Sequence, residues 1–483
     1  MPRTRITGTA LLMLAALTGA CGETDAPTAP QIQAAKGGAT PVVGSVSPDS
    51  AKRGLNLDIT VSGSGFDRGS VVDLERQGAA AAGITTNSTT FLSSTKLIAN
   101  ITIAADADTG QYDVAVMTTG GRKGVGIELL TVLYELVDVG VIAGNWSVAV
   151  ATNDLGQVVG TSCITDCHGT MDPPPSPAHA FFWTEDGGLQ DLGTLPGYTR
   201  SSAYDINDLG QILGDVGCAM ADPGCGGKTS GEVVLWQQTA GRWTAARLGI
   251  PLPFSGWAGD INNSGQFVMF GSVYSLTGGS ALGAALPALD PAPAVIRASA
   301  INDAGLVAGQ STANNEAGTS EALVWYRDQS GAWRILRLGA LPGHDISFAL
   351  DIAEIDAAGR IPVVGSSAKA GRRGGYSPVR WTLESDGASG WQVAGIEELQ
   401  LPRRFVDAQA SAVNTAGEVA GYYLSRQIVY DAAKWLPTGN LETLPSPSVG
   451  AARARDIDDA GRIVGSVWDD DTGSERAALW RLQ

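Results

Sequence analysis

The feature that most constrains this chain is a four-residue corner, Asn or Asp first and Gly last, that returns seven times. The copies are Asn153 to Gly156, Asn207 to Gly210, Asn262 to Gly265, Asn302 to Gly305, Asp356 to Gly359, Asn414 to Gly417 and Asp458 to Gly461. Each joins two apolar, strand-like runs, as in Ser-Ser-Ala-Tyr-Asp-Ile-Asn-Asp-Leu-Gly-Gln-Ile-Leu-Gly over 201–214, and so reads as a β-hairpin. The Asn or Asp side chain caps the turn and glycine takes the positive φ that other residues resist. These residues are therefore structural first. From Gly156 to Gly461 the six intervals average about 51 residues, the spacing of propeller blades.

Each copy continues in the same order. An apolar run ending in Gly follows the corner, as in Gln157-Val-Val-Gly160, and after a variable loop comes a strand ending in Trp. The tryptophans are Trp183, Trp236, Trp325, Trp381, Trp435 and Trp480; the third copy lacks one, having Ser280-Ala-Leu-Gly-Ala-Ala-Leu in that place. A fourth strand then carries Leu-x-Asp-Leu-Gly or a relative, as at 189–193. The last copy stops at Trp480-Arg-Leu-Gln with no fourth strand, whereas an unmatched Leu136-Val-Asp-Val-Gly140 precedes the first corner. An N-terminal strand that completes the C-terminal repeat removes exposed sheet edges. The expectation is a seven-bladed β-propeller over 134–483; an open β solenoid would leave both terminal strands bare.

These motifs resemble a known family. The Ala-x-x-Ile-Asn-x-x-Gly-x-Val-x-Gly pattern, followed by His179-Ala-Phe-x-Trp and then Asp-Leu-Gly-Thr-Leu, is similar to the HAF family of extracellular repeats. The tripeptide itself occurs only in the first copy. The resemblance implies export and brings no catalytic residues with it.

The N-terminus agrees with export. Arg3 and Arg5 precede an apolar stretch over 10–17, too short to span a bilayer, that ends in Thr18-Gly19-Ala20-Cys21. This resembles the lipobox of bacterial lipoproteins, so residues 1–20 read as a signal peptide and Cys21 as the lipidation site. Gly22 after the cysteine implies the outer membrane or cell surface, with the lipid anchor as the membrane contact. Residues 21–40 are a tether without a foldable pattern. Over 41–133 about seven short alternating strands suggest an antiparallel sandwich. Ser45-Val-Ser-Pro, Val61-Ser-Gly-Ser-Gly-Phe66 and Gly110-Gln-Tyr-Asp-Val resemble the immunoglobulin-like IPT/TIG domain, which implies a spacer or binding module. The fold class expected for the whole is all-β: an immunoglobulin-like sandwich, then a propeller.

Charge narrows the partners. A formal net charge of −17 argues against nucleic acid, whose binders concentrate Lys and Arg. Cys163, Cys167, Cys218 and Cys225 lie in the same loop of the first two repeats. In an exported chain four such thiols read as two disulfides, most simply the local pairs, with cross-pairing between repeats or a zinc site as alternatives. Asp469, Asp471 and Glu475 resemble the start of a calcium loop without its closing ligand, so a solvated acidic loop is the simpler reading; Asp106 and Asp108 are similar. His is scarce, and His179 is expected to meet a backbone carbonyl. No Gly-x-Ser-x-Gly, His-Glu-x-x-His or Walker loop occurs. Glu397 and Glu398 form a carboxylate pair of unknown placement. Trp146, Trp243, Trp257, Trp333, Trp391 and Trp468 lie off the repeat register and are open to sugar or peptide stacking.

The expectation is thus a non-catalytic, lipid-anchored surface protein whose propeller is a binding or adhesion scaffold for a glycan or protein, without a cofactor. The alternative is a secreted polysaccharide hydrolase or lyase, by fold analogy alone.

Overall fold

The computed structural model describes residues 40–483 except 77, 105–106, 108, 168–176, 219–224, 226–230, 253–258, 278–279, 290–293, 314–319, 371–374, 388–389, 403–404, 426–428, 448–450 and 482–483. The expected signal peptide, Cys21 and nearly all of the tether lie outside the described residues, as do Asp106, Asp108, His168 and Trp257. The described chain is all-β and has no α-helix.

Residues 42–132 form two sheets. One holds Val42–Ser47, Asn56–Ser64, Lys96–Ile103 and Ile84–Ser93; the other Ser50–Ala51, Lys123–Val132, Gly110–Met117, Val71–Arg76 and Ala79–Ala80. Alternation along Lys96–Ile103 puts Leu97, Ala99, Ile101 and Ile103 on one face, and they pack with Ile59, Val72, Val114 and Leu130 from both sheets. This body is joined to the rest of the chain through Glu442. Its buried carboxylate pairs with Arg76 and accepts hydrogen bonds from Thr109 Oγ1 at 3.1 Å and Tyr134 Oη at 3.2 Å.

From Glu135 onward the described chain builds seven four-stranded antiparallel sheets, a β-propeller-like repeat. In the first, Ser147–Thr152, Val158–Cys163, Ala178–Thr184 and Gly188–Gly193 pair in that order. The corner between first and second strands has the expected geometry. Asn153 Oδ1 accepts from the backbone N–H of Leu155 and Gln157, and Gly156 takes φ 73°, as all seven corner glycines do within 70–80°. Where the third strand carries a Trp, that Trp pairs with the second strand, at its first residue in Ile212 with Trp236 and Ile463 with Trp480 for example. Trp236, Trp325, Trp381, Trp435 and Trp480 are fully buried. Three of them pin the crossover to their own sheet. Trp325, Trp435 and Trp480 Nε1 donate to the backbone carbonyls of Pro287, Gln400 and Pro445 at 2.9, 2.7 and 2.7 Å.

Sheets pack face to face in sequence, and each junction has its own apolar cluster. Phe182 and Ala151 of the first sheet meet Val216 and Trp236 of the second, and this continues to Ala420 of the sixth against Ile463 and Trp480 of the seventh. The seventh then packs on the first, through Val464 and Leu479 against Val158 and Phe181. Its fourth strand is Glu135–Gly140, which pairs antiparallel with Ser474–Arg481, Leu136 opposite Trp480. The joint between seventh and first sheets repeats the joint between first and second. Ser201 Oγ accepts from Ala180 N at 2.9 Å and donates to Gly193 O at 2.6 Å; Ser147 Oγ accepts from Ala477 N at 2.9 Å and donates to Gly140 O at 2.7 Å. Gly140 thus stands where Gly193 stands.

Two expectations need correction. In the third copy, Ser280–Ala285 is the fourth strand, not the third. The third is Ser272–Thr277, reached from Gln266–Met269 by a two-residue turn, Phe270-Gly271, so the long loop of other copies is missing. Tyr274 takes the tryptophan's place opposite Phe267 and stacks on it at 5.0 Å. In the fifth copy, Asp356 to Gly359 does form a turn, but the hairpin is longer and carries it outward. The place that other copies give to their corner Asn falls to Ala353, whose carbonyl accepts from Asn302 Nδ2 at 3.0 Å.

Candidate functional site

The repeat's backbone builds the site. In six of the seven sheets the first strand carries a β-bulge at the same place, between Ala149 and Ala151, Ala203 and Asp205, Ala298 and Ala300, Ala349 and Asp351, Ala410 and Ala412, and Ala454 and Asp456. Opposite each bulge is the glycine that ends the second strand's apolar run, Val-x-Gly or Ile-x-Gly. A Cβ on Gly160, Gly214, Gly309, Gly365, Gly421 or Gly465 would fall 1.9–2.1 Å from a first-strand carbonyl oxygen. The third sheet has Met269 at that position, and its short first-strand pairing, Asp260 to Val268 and Ile261 to Phe267, has no bulge. Glycine and bulge are therefore one device. A bulge re-aims a side chain, and all six bulged residues, Val150, Tyr204, Ser299, Leu350, Ser411 and Arg455, line a single cavity of about 800 Å³.

The cavity wall combines arginine with aromatic rings. Arg297, Arg453 and Arg455 line it, and among the described residues no acidic side chain does. Arg453 donates to the buried Glu475 at 3.1 Å and lies over the Tyr430 ring at 4.0 Å, which holds its guanidinium in place. Tyr422, also on the wall, donates its hydroxyl to Gln409 at 3.1 Å; burial raises its pKa against the pull of Arg453. Trp146 lines the cavity but is buried, its indole N–H without an acceptor among the described residues. Phe270 reaches the wall from the two-residue turn of the third sheet, 41% exposed and at φ 53°. A bulky residue in that left-handed region costs about 1 kcal/mol or more, and such strain clusters at ligand sites. Asp215 is fully buried on the second strand of the second sheet. Burial pushes its carboxyl up to about 6, opposed by the Arg200 guanidinium and the Tyr204 hydroxyl.

The corners close the other end around a smaller cavity of about 190 Å³. Here the motif residues interlock. Asn153, Asn207 and Asn262 each donate Nδ2 to the carbonyl of the next corner at 2.9 Å, and Asn414 reaches Asp458 O at 3.1 Å. Asp459 N donates to Asp154 Oδ1 at 2.9 Å, which ties the seventh corner to the first. Just inside, four carboxylates each accept a backbone N–H of the next sheet: Asp205 from Ile261, Asp260 from Ile301, Asp351 from Val413 and Asp456 from Thr152, at 2.6–2.8 Å. Burial, and then repulsion from the other carboxylates of the set, push Asp260 and Asp456 well above the usual carboxylate range, and burial pushes Asp351 up to about 6. Along the first strands, then, an arginine-bearing mouth gives way to an acidic floor. Because every one of these carboxylates and corner amides holds a neighbouring sheet, they serve the frame.

The other sequence candidates are dispersed. Disulfides join Cys163 to Cys167 and Cys218 to Cys225, with Cα separations of 6.2 and 6.0 Å, the local pairing. Asp469, Asp471 and Glu475 do not converge. Register places Trp468 opposite Glu475 and Asp469 opposite Ser474, so the carboxylates of Glu475 and Asp469 leave on opposite faces. Glu475 turns inward to Arg453, whereas Asp469 accepts from Thr472 Oγ1 at 3.0 Å in the exposed turn. Among the described residues no group of three or more His, Cys, Asp or Glu is placed to hold a metal ion. His179 Nδ1 meets the Asp191 carboxylate at 2.9 Å, not a backbone carbonyl as expected; Asp191 pairs with Phe181, two residues along the third strand from His179, so the two side chains are diagonal neighbours. Burial works against Asp191, yet the bonds from His179 and Gly193 N hold its carboxyl below the ordinary range. Glu397 and Glu398 alternate faces of one strand, bonded to Arg380 and Ser377. Of the tryptophans off the repeat register, Trp146 alone among those described lines the cavity. Trp243, Trp333 and Trp391 pack on outer strands, Trp243 at 4.7 Å from Phe182. No motif marks the cavity residues Tyr204, Arg297, Arg455 and Phe270. For the two bulged ones, Tyr204 and Arg455, the one sequence signal is a fixed distance of three residues before Asn207 and Asp458.

No family model matches the chain, and no curated protein does. Among solved structures it is similar to a protein of unknown function from Bacteroides thetaiotaomicron, at 10% identity and TM-score 0.33, covering 92% of this chain and 98% of that one. It is similar over the same shares to an auxiliary nutrient binding protein from Bacteroides ovatus, at 10% identity and TM-score 0.30. A lectin from Aleuria aurantia, solved with a fucosylated sugar, matches at 12% identity and TM-score 0.32 over 62% of this chain and 96% of that one. None of these scores reaches the level at which function transfers.

Proposed function

We infer that the chain is an exported, lipid-anchored surface protein in which a closed seven-bladed β-propeller, carried on an immunoglobulin-like sandwich, serves as a binding scaffold. The observation that carries this reading is the set of six bulged first strands. One backbone device, repeated six times, delivers six side chains of differing chemistry to one cavity. A frame that needed only stability would have no use for that variation, whereas binding surfaces vary side chains on a constant support. The repeated serine joint and the Leu136–Trp480 pairing support ring closure. Two disulfides support an oxidising, extracytoplasmic setting. Cys21 and the preceding apolar segment support the anchor.

The alternative is a polysaccharide hydrolase or lyase. Hydrolysis of a glycosidic bond uses two carboxyl groups about 5–9.5 Å apart across the substrate, and the cavity lining contains none among the described residues. Binding is therefore the reading favoured here. The test is a panel of glycans and peptides offered to the mature protein, with binding and turnover both measured. Binding without turnover supports the scaffold; turnover lost on a single carboxylate substitution overturns it. Replacing Cys21 with Ser moves the protein from the membrane fraction to the soluble one if the anchor is as inferred.

A further inference from the structure

The scaffold's cavity has a polarity opposite to the molecule that contains it. The chain carries a net charge of −17, yet Arg297, Arg453 and Arg455 lie on the cavity wall, with no acidic side chain among the described lining residues. Two of these arginines hold equivalent places in their sheets. Arg297 and Arg453 each sit one residue before the alanine that opens the bulge, and Arg455 is itself a bulged residue. Guanidinium groups in such a site recognise planar or tetrahedral oxyanions through paired N–H donors. Around them are ring faces: Tyr204, Tyr422 and the exposed Phe270. Such faces suit a ligand with an apolar side as well as a charge. At the far end Asp205, Asp260, Asp351 and Asp456 are each committed to a backbone N–H of the next sheet, so the ligand is assigned to the mouth.

We propose that the cavity at the bulged ends of the first strands binds an acidic saccharide, a sugar ring bearing a carboxylate or sulfate, with Arg297 and Arg455 at the oxyanion and Phe270 and Tyr204 against the ring. This rests on the binding-scaffold reading above and names its ligand class. Arg453, held by Glu475 and Tyr430, fixes the position of the charge. Phe270 has a left-handed backbone because the two-residue hairpin turn it shares with Gly271 requires positive φ at both positions, and its ring lines the mouth.

The test is calorimetric titration of the mature protein with oligogalacturonate, a sulfated galactan oligosaccharide and a neutral galacto-oligosaccharide. Binding of either acidic ligand at least about tenfold tighter than the neutral one is expected, since one charge-assisted pair is worth roughly that factor. The two acidic arms separate carboxylate from sulfate. Arg455→Gln and Arg297→Gln each lose about tenfold or more, Arg455→Lys loses less, and Phe270→Ala weakens all sugars alike. Unchanged circular dichroism of each variant establishes folding, and Arg455→Lys keeps the test valid if a Gln variant fails to fold. Equal binding of acidic and neutral sugars, or Arg variants that bind as tightly as the parent, overturns the proposal. A neutral glycan or peptide that binds and is lost in Phe270→Ala overturns the acidic ligand while leaving the scaffold intact. Absence of binding by every saccharide overturns the ligand class, and failure of the wider panel as well overturns the scaffold.

Discussion

Replacing Gly465 with Ala tests whether glycine and bulge are one device. The added methyl would sit 1.9 Å from the carbonyl oxygen of Arg453, with the Arg453 carbonyl carbon at 3.0 Å and Ala454 Cα at 3.1 Å. All three are backbone atoms, so no side chain can swing aside, and the strand must retreat by about 1 Å. Retreat loosens the pairing of Ala454 with Gly465 and of Asp456 with Val464, and with it the bond from Thr152 N to Asp456 that joins the seventh sheet to the first. Overpacking costs about 1–3 kcal/mol and a buried backbone group left unpaired about 1–3 more, so a destabilisation of about 3 kcal/mol is expected. With an unfolding entropy of about 2.1 cal/mol/K per residue over roughly 350 residues, that lowers the melting temperature by about 4 °C. Gly395→Ala is the control: it too lies in a strand, and a Cβ there meets nothing within 4 Å. Scanning calorimetry of both variants decides the matter. The reasoning is refuted if Gly465→Ala melts with Gly395→Ala and the parent. If the two glycines differ as expected, Gly465→Ala also displaces Arg455 and weakens whatever binds at the mouth.

Other consequences follow from buried charge and from the joints. Asp215 and Asp351 have folded-state pKa values raised to about 6, and Asp260 and Asp456 are raised well above the ordinary carboxylate value. A raised carboxyl binds its proton more tightly when folded, so its contribution is fully present below the unfolded value of 3.8 and is lost as pH rises through the folded one. The melting temperature should therefore rise on acidification from about pH 7.5 to about 5.5, with Asp351→Asn flattening the slope; a melting temperature that falls over that interval contradicts this account. Glu442→Ala leaves Arg76, Thr109 and Tyr134 without their shared acceptor, and a loss of about 2–4 kcal/mol at the joint should appear as faster proteolysis between 132 and 135. An unchanged cleavage rate would count against a rigid joint. Each disulfide closes a short loop and contributes about 2 kcal/mol, so reductant should lower the melting temperature while raising the thiol titre by four among Cys163, Cys167, Cys218 and Cys225. Four free thiols before reduction would exclude both bonds.

Much of the frame is legible in the residue order. Corner glycines, buried tryptophans and the orphan strand at 136–140 obey local rules of turn and pairing, and each has a strand or turn of that kind in the structure. The site is hidden for a physical reason. A bulge breaks the two-residue alternation by which inward and outward positions are told apart, so Tyr204 and Arg455 read as ordinary strand residues. The third copy misleads because its loop is gone. Without a Trp to mark the third strand, the apolar run at 280–285 takes its place on paper, whereas register assigns the tryptophan's role to Tyr274. The buried aspartates look like the polar shoulders of turns, because nothing in the sequence reveals that the next sheet's N–H lies above them.

The seventh sheet is composed of segments made at widely separated times, Glu135–Gly140 first and Ala452–Arg481 long after. During synthesis the early segment must wait, unpaired, until more than three hundred residues have followed it. Contacts so distant along the chain form slowly and leave strand edges open to other chains meanwhile. Loss of the strands over 452–481 therefore undoes the joint between seventh and first sheets as well as the seventh sheet itself. Should the chain be exported as proposed, a chaperone on the far side of the membrane would find the segment around Leu136 the first to protect.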